Sequence, residues 1–165
     1  MRPGHRTLPA LALALCLAAL AAADAPADAP APDPAAQARA AVGPSLRAMA
    51  QAANAHDVDG HVNFYSRRPE VTLIVNGEAI VGWDTIRARQ AEWWRGGKSD
   101  VVYTPLASPQ YRALAPGLVL TTLMVGARGS GHDGKPRDDR LAISSLWQHE
   151  SAGWRVIYAH ESTTH

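Results

Sequence analysis

An α+β fold with helices gathered early and antiparallel strands late is predicted by three observations. A helical pattern occupies the region 38–56. Asn76-Gly77 sits between two β-branched runs as a tight hairpin signal. Long alternating stretches then fill the last third of the chain, ending in Trp154-Arg-Val-Ile-Tyr-Ala-His-Glu-Ser162. Strands collected in a run, with few helices between them, argue against an alternating parallel sheet.

The elements follow in order. Arg2 and Arg6 precede an apolar run from Leu8 to Leu20 and a small-residue stretch at Ala21-Ala22-Ala23, so 1–23 reads as a cleaved export signal. That run is short for a bilayer span, so no membrane attachment is expected after cleavage, and the protein is expected in the periplasm or outside the cell. Cys16 is the single cysteine, and its loss with the signal would leave a chain without disulfide or thiolate chemistry. Residues 24–37, rich in Ala, Pro and Asp, read as a linker. The remaining 38–165 has the size of one domain. Without Arg2 and Arg6, the basic residues are close in number to the 15 acidic ones and form no tract, which argues against nucleic acid as a partner.

Leu46, Met49, Ala50 and Ala53 lie at helical spacing, with Pro44 either starting or kinking that helix. Asp57 is placed to cap a short helix carrying Val58, Val62 and Tyr65 on one side. Val71–Val75 and Ala79–Val81 form the hairpin. Asp84 is expected to cap a helix running to Arg95, with Ile86, Gln90, Trp93 and Trp94 on its inner side and Gly96-Gly97 ending it. Strands are expected over 101–111 (interrupted by prolines), 118–127, 140–148 and 154–162, with 129–139 as a long polar hairpin tip.

Asn54-Ala-His-Asp-Val-Asp-Gly-His61, Tyr65, Gly82-Trp83-Asp84 with Ile86, and Gly153-Trp-Arg-Val-Ile-Tyr-Ala-His-Glu-Ser162 together resemble the SnoaL-like branch of the nuclear transport factor 2-like superfamily. The resemblance implies a cone, in which a curved antiparallel sheet wraps around N-terminal helices and leaves an apolar pocket. It also implies a choice of roles, because members include isomerases, dehydratases, epoxide hydrolases, cyclases and non-catalytic modules. The related pattern has histidines at both pocket-facing positions of the last strand. Here His160 matches the second and Tyr158 stands at the first. Leu73, Ile74 or Val75 occupies the place of the steroid isomerases' general-base Asp, so that mechanism is not carried over.

Strict alternation puts Trp154, Val156, Tyr158, His160 and Ser162 on one face of the final strand, like a cavity wall with a polar mouth. His160 is the expected acid/base group, with Tyr158 assisting, or else a cavity histidine bonded to a carbonyl. Tyr65, Trp93 and Trp94 are expected to line the pocket, and Trp83 and Trp154 to pack in the core. Arg140, expected to face inward with Ala142 and Ser144, either holds a ligand oxygen or pairs with an acid such as Asp84. His56 and His61 are spaced too unevenly for one helix face to present both to a metal, so neither metal nor cofactor is expected. Leu141, Ile143, Trp147, Ile157 and Ala159 make the opposite face apolar enough to meet a second copy in a homodimer. The expected function is binding of a small apolar or aromatic molecule, with cofactor-free acid/base chemistry in an enzymatic version. The alternative is a dimerising scaffold.

Overall fold

A computed structural model describes residues 33–131 and 134–164. The expected export signal, most of the linker, and His132 and Asp133 at the hairpin tip lie outside them. Helix α1, Pro34–Asn54, begins within the stretch expected to be linker. Pro34 suits the first helical turn, and the Asp33 carboxylate accepts from the Ala35 N–H at 3.0 Å. Pro44 lies inside the helix and does not start it. Ala38, Val42, Leu46 and Met49 form its buried stripe. At Gly43 a Cβ would stand 3.3 Å from the Arg47 guanidinium and 3.6 Å from the Tyr111 hydroxyl, so glycine allows a close approach there. Helix α2, Val58–Val62, is capped by Asp57, whose carboxylate accepts from the Gly60 N–H at 2.9 Å, as the sequence predicts.

Strands β1 (Thr72–Val75) and β2 (Glu78–Val81) form the expected hairpin, with Asn76 and Gly77 both at positive φ. Helix α3, Trp83–Trp93, starts two residues earlier than expected. Gly82 is its N-cap, and Asp84 lies in the first turn beside the positive end of the helix dipole without capping it. A short 3-10 turn, Arg95–Gly97, closes the segment.

The remaining strands are β3 (Val102–Pro105), β4 (Gln110–Ala115), β5 (Leu118–Ser130), β6 (Pro136–Glu150) and β7 (Gly153–Thr164). The stretch expected as one interrupted strand is two, and most of the expected polar tip is ladder, since β5 and β6 pair as far as Ser130 and Pro136. The sheet is large and curved, in the order β2-β1-β7-β6-β5-β3, with β4 also on β5. All pairs are antiparallel except β1 with β7, which run parallel. The helices cover the concave side. Their apolar stripes meet Val119, Trp147, Val156 and Ala159 from the sheet in one core. Trp83 and Trp154 pack against this core, as expected.

One irregularity decides which side chains face inward. In the β6–β7 ladder Trp147 pairs with Val156, but Leu146 pairs with Tyr158, so Ile157 is an extra residue. Here β7 also changes its other neighbour. The Phe64–Ser66 segment pairs at Val156, through Val156 N–H to the Phe64 carbonyl and Ser66 N–H to the Val156 carbonyl, and β1 takes over from Tyr158. A bulge reverses the facing of everything beyond it. Val156 is buried before the bulge and Ala159 after it, an odd spacing that uninterrupted alternation forbids.

Candidate functional site

The concave face encloses a cavity of about 800 Å³, lined mainly by apolar and aromatic side chains. Its floor and walls come from α1 (Leu46, Met49, Ala53), from the inward residues of β5 and β6 (Leu123, Val125, Leu141, Ile143), and from Tyr65, Trp93 and Trp94. The three aromatic residues expected in the wall are therefore all there. Trp94 and Tyr65 are buried and Trp93 is partly so.

Other expected positions are corrected by the bulge. Tyr158, His160 and Ser162 point outward and are exposed, while Ala159, Glu161 and Thr163 take the inner face. In β6 the facing is likewise the reverse of that expected. Arg140 is exposed on the outer face near Arg128 and Asp138, which form an ion pair at 3.0 Å. Leu141 and Ile143 line the cavity, and Trp147 and Ala159 are core, so the apolar face expected to meet a second copy is the interior of the cone.

Glu161 is one of the polar groups of the cavity wall. It pairs through its backbone with Ile143 and Val75, and its side chain projects from the sheet into an apolar chamber. Among the described residues its carboxyl has neither a hydrogen-bond nor an ion-pair partner. Burial pushes it up to about 7. Tyr65 and Tyr103 both feel its charge, which together with their own burial raises their phenols above the ordinary range; burial is the larger cause for each.

Tyr103 is held by three contacts. Its backbone N–H donates to Asn54 Oδ1 at 2.8 Å, and Asn54 Nδ2 donates to its carbonyl at 3.0 Å. Its hydroxyl accepts from Trp94 Nε1 at 2.9 Å, which leaves the phenolic hydrogen free to donate. The end of α1 thus fixes an edge strand through a single amide. His56 adds a bond of 2.8 Å to the Val101 carbonyl.

His61 completes the wall. Its Nδ1 lies 3.2 Å from the Met49 carbonyl, which can only accept, so the proton sits on Nδ1 and Nε2 is a bare acceptor. Burial pushes this imidazole down to about 4, so it is neutral at physiological pH. It packs edge-on to Trp94, with ring centroids 5.1 Å apart, and tilted to Tyr65 at 6.1 Å. At the polar rim Arg137 pairs with Asp139, and Arg95 pairs with Asp100 at 3.2 Å.

Several solved structures share this architecture. A nuclear transport factor 2-like superfamily protein from Salmonella enterica superposes with a TM-score of 0.67 at 15% identity, over 79% of this chain and 93% of that one. This chain has the nuclear transport factor 2-like fold. A ketosteroid isomerase-like protein from Erwinia carotovora matches with a TM-score of 0.63 at 14% identity, over 76% of this chain and 95% of its own. A proposed dehydratase of the nuclear transport factor 2-like family from Streptomyces avermitilis gives 0.65 at 11% identity, over 79% and 99%. No family model matches the sequence, and no curated protein does. The resemblance noted from the residues is thus borne out at the level of fold. Among the polar groups lining the cavity are Glu161, His61 and Tyr103, none of which stood among the expected binding or catalytic residues. Three or more His, Cys, Asp or Glu placed to hold a metal ion do not occur among the described residues.

Proposed function

We propose that the cone cavity binds a small, largely apolar molecule whose polar end meets Glu161. The observation that carries this reading is a chamber of about 800 Å³, apolar over most of its wall, with a carboxyl inside that has no partner among the described residues. Pockets of this size and lining suit compact organic ligands, and a few polar groups orient them. An open cavity also counts against a pure scaffold, which would fill it with its own side chains. Relatives in fold described as ketosteroid isomerase-like and as a dehydratase support a small-molecule role. From its leader-like start, we place this activity in the periplasm or outside the cell.

A second reading, turnover of the bound molecule, is favoured by two groups on the same wall. A carboxyl titrating near neutrality can give or take a proton, and His61 Nε2 is an unprotonated acceptor. Binding is tested with the neutral apolar dye Nile red, followed by its own emission and by quenching of Trp93 and Trp94. Saturable binding that is lost when Ile143→Trp fills the chamber is expected. Absence of saturable binding by the wild type, or binding indifferent to Ile143→Trp, would overturn the proposal.

A further inference from the structure

The polar end of the ligand can be given a charge. Resting on the binding reading above, we infer that the cavity selects a protonated amine with an apolar body, its ammonium held by the Glu161 carboxylate and the aromatic rings of the same cavity wall.

The charged groups that face the chamber come from four elements. On β6, Arg137 is neutralised by Asp139. After α3, Arg95 is neutralised by Asp100. From α2 comes His61, uncharged, with Nδ1 committed to the Met49 carbonyl. The phenols of Tyr65 and Tyr103 stay protonated. On β7 there remains Glu161, whose charge nothing in the wall balances among the described residues. Ionised, it leaves one net negative charge in an apolar chamber, and a buried charge of that kind is costly until a counter-charge arrives.

The rings point the same way. Tyr65, Tyr103, Trp94 and Trp93 border the cavity, and the face of each aromatic ring is electron-rich. A cation gains from both the carboxylate and the ring faces, whereas a carboxylate ligand is repelled by both. An alcohol or ketone gains only a hydrogen bond. His61 Nε2, a bare acceptor in the same wall, can take one ammonium N–H, and it cannot repel the cation because it carries no proton. Binding an ammonium holds Glu161 ionised, which makes the site a receptor for the cation and sets aside proton transfer by that carboxyl.

The test uses three probes of one shape: naphthylmethylamine, naphthylmethanol and naphthoate. Each is titrated against the protein by tryptophan quenching and calorimetry at about pH 6 and pH 8. At pH 8 the amine is expected to bind at least roughly tenfold more tightly than the alcohol, and naphthoate weakest. Because Glu161 must ionise to receive it, amine affinity should fall roughly tenfold at pH 6, while alcohol affinity changes little. Glu161→Gln should abolish the amine preference and the pH dependence but keep alcohol binding, which also reports that the variant is folded. If Glu161→Gln fails to fold, the pH dependence of the wild type alone decides. Alcohol or naphthoate binding as tightly as the amine at pH 8 overturns the amine inference and leaves the apolar cavity standing. Binding of none of the three, in a protein that also rejects Nile red, overturns both.

Discussion

Replacing Glu161 with Gln keeps the shape of the side chain and removes its titration. Burial carries this carboxyl from an ordinary 4.5 to about 7. At 1.36 kcal/mol for each tenfold change in proton affinity, that displacement corresponds to about 3 kcal/mol. Below about pH 4.5 the carboxyl is protonated in both folded and unfolded chains, and it costs nothing. Between about 4.5 and 7 the unfolded chain ionises first, so native stability falls as pH rises. Above 7 the full cost is present and constant. Unliganded Glu161→Gln should therefore match the wild type near pH 4 and exceed it by up to about 3 kcal/mol at pH 8. Urea unfolding across that range reads the difference directly. In a thermal melt it corresponds to a rise of roughly 10 °C for a domain of this size. A difference that does not vary with pH, or a variant weaker than wild type at pH 8, would show that the ionised carboxylate is solvated or paired. That result would remove the basis for placing a ligand against it.

His61→Asn keeps a donor for the Met49 carbonyl and removes the imidazole. Because burial holds His61 down to about 4, the wild type should lose stability as pH falls from about 6.5 to 4, by about 3 kcal/mol, and the variant should not. This slope opposes that of Glu161, so the wild-type profile alone should be nearly flat between about pH 4.5 and 6.5, and only the variants' unfolding curves separate the two. Thr121→Val takes away the acceptor of the buried Trp147 indole, now bonded at 3.0 Å, and should cost about 1–3 kcal/mol by denaturant unfolding. His160→Ala removes an exposed side chain and should stay within about 0.5 kcal/mol of wild type, with Nile red affinity unchanged. A large loss of affinity there would move the binding site to the outer face. Deleting Ile157 removes the bulge but keeps both flanking pairs, Trp147 with Val156 and Leu146 with Tyr158. The deletion should therefore retain Nile red binding and the alkaline cost of Glu161, with stability lost as the bend in β7 relaxes. Loss of the Glu161 signature would contradict the register.

Much of the fold was legible because its signals are local. Asp57 caps α2 through its own carboxylate, Asn76-Gly77 supplies the two positive φ angles of a hairpin, and α1 shows its buried stripe at helical spacing. Tyr65, Trp93 and Trp94 were assignable to the cavity wall because large aromatics at or just beyond the ends of short helices have few other places to go. Boundaries shifted where a neighbour overrode the local preference. Pairing of β5 with β6 draws a polar, glycine-containing stretch into the ladder, and Gly82 precedes the residue that looked like the natural cap of α3.

The polar centre of the site was not legible, and the reason is a single backbone event. Period-two alternation is exact only while the ladder is uninterrupted, and Ile157 carries no residue signature for a bulge, unlike a glycine at positive φ. From Val156 backward the sequence assigns the faces correctly. From Tyr158 onward it assigns every one of them to the wrong side, which exchanges His160 for Glu161. A corrective signal did exist in the partner strand. Leu141, Ile143 and Trp147 give one face of β6 far more apolar surface than Arg140, Ala142 and Ser144 give the other, and the heavier face belongs inside. Reading the facing of β7 from β6, where burial is strongly specified, would have turned Glu161 inward. It would have left an acid alone among apolar residues, which is the arrangement that most needs a functional explanation. The bulge therefore places this carboxyl in the chamber, and the chamber, by desolvating it without supplying a partner among the described residues, makes it responsive to whatever charge the ligand brings.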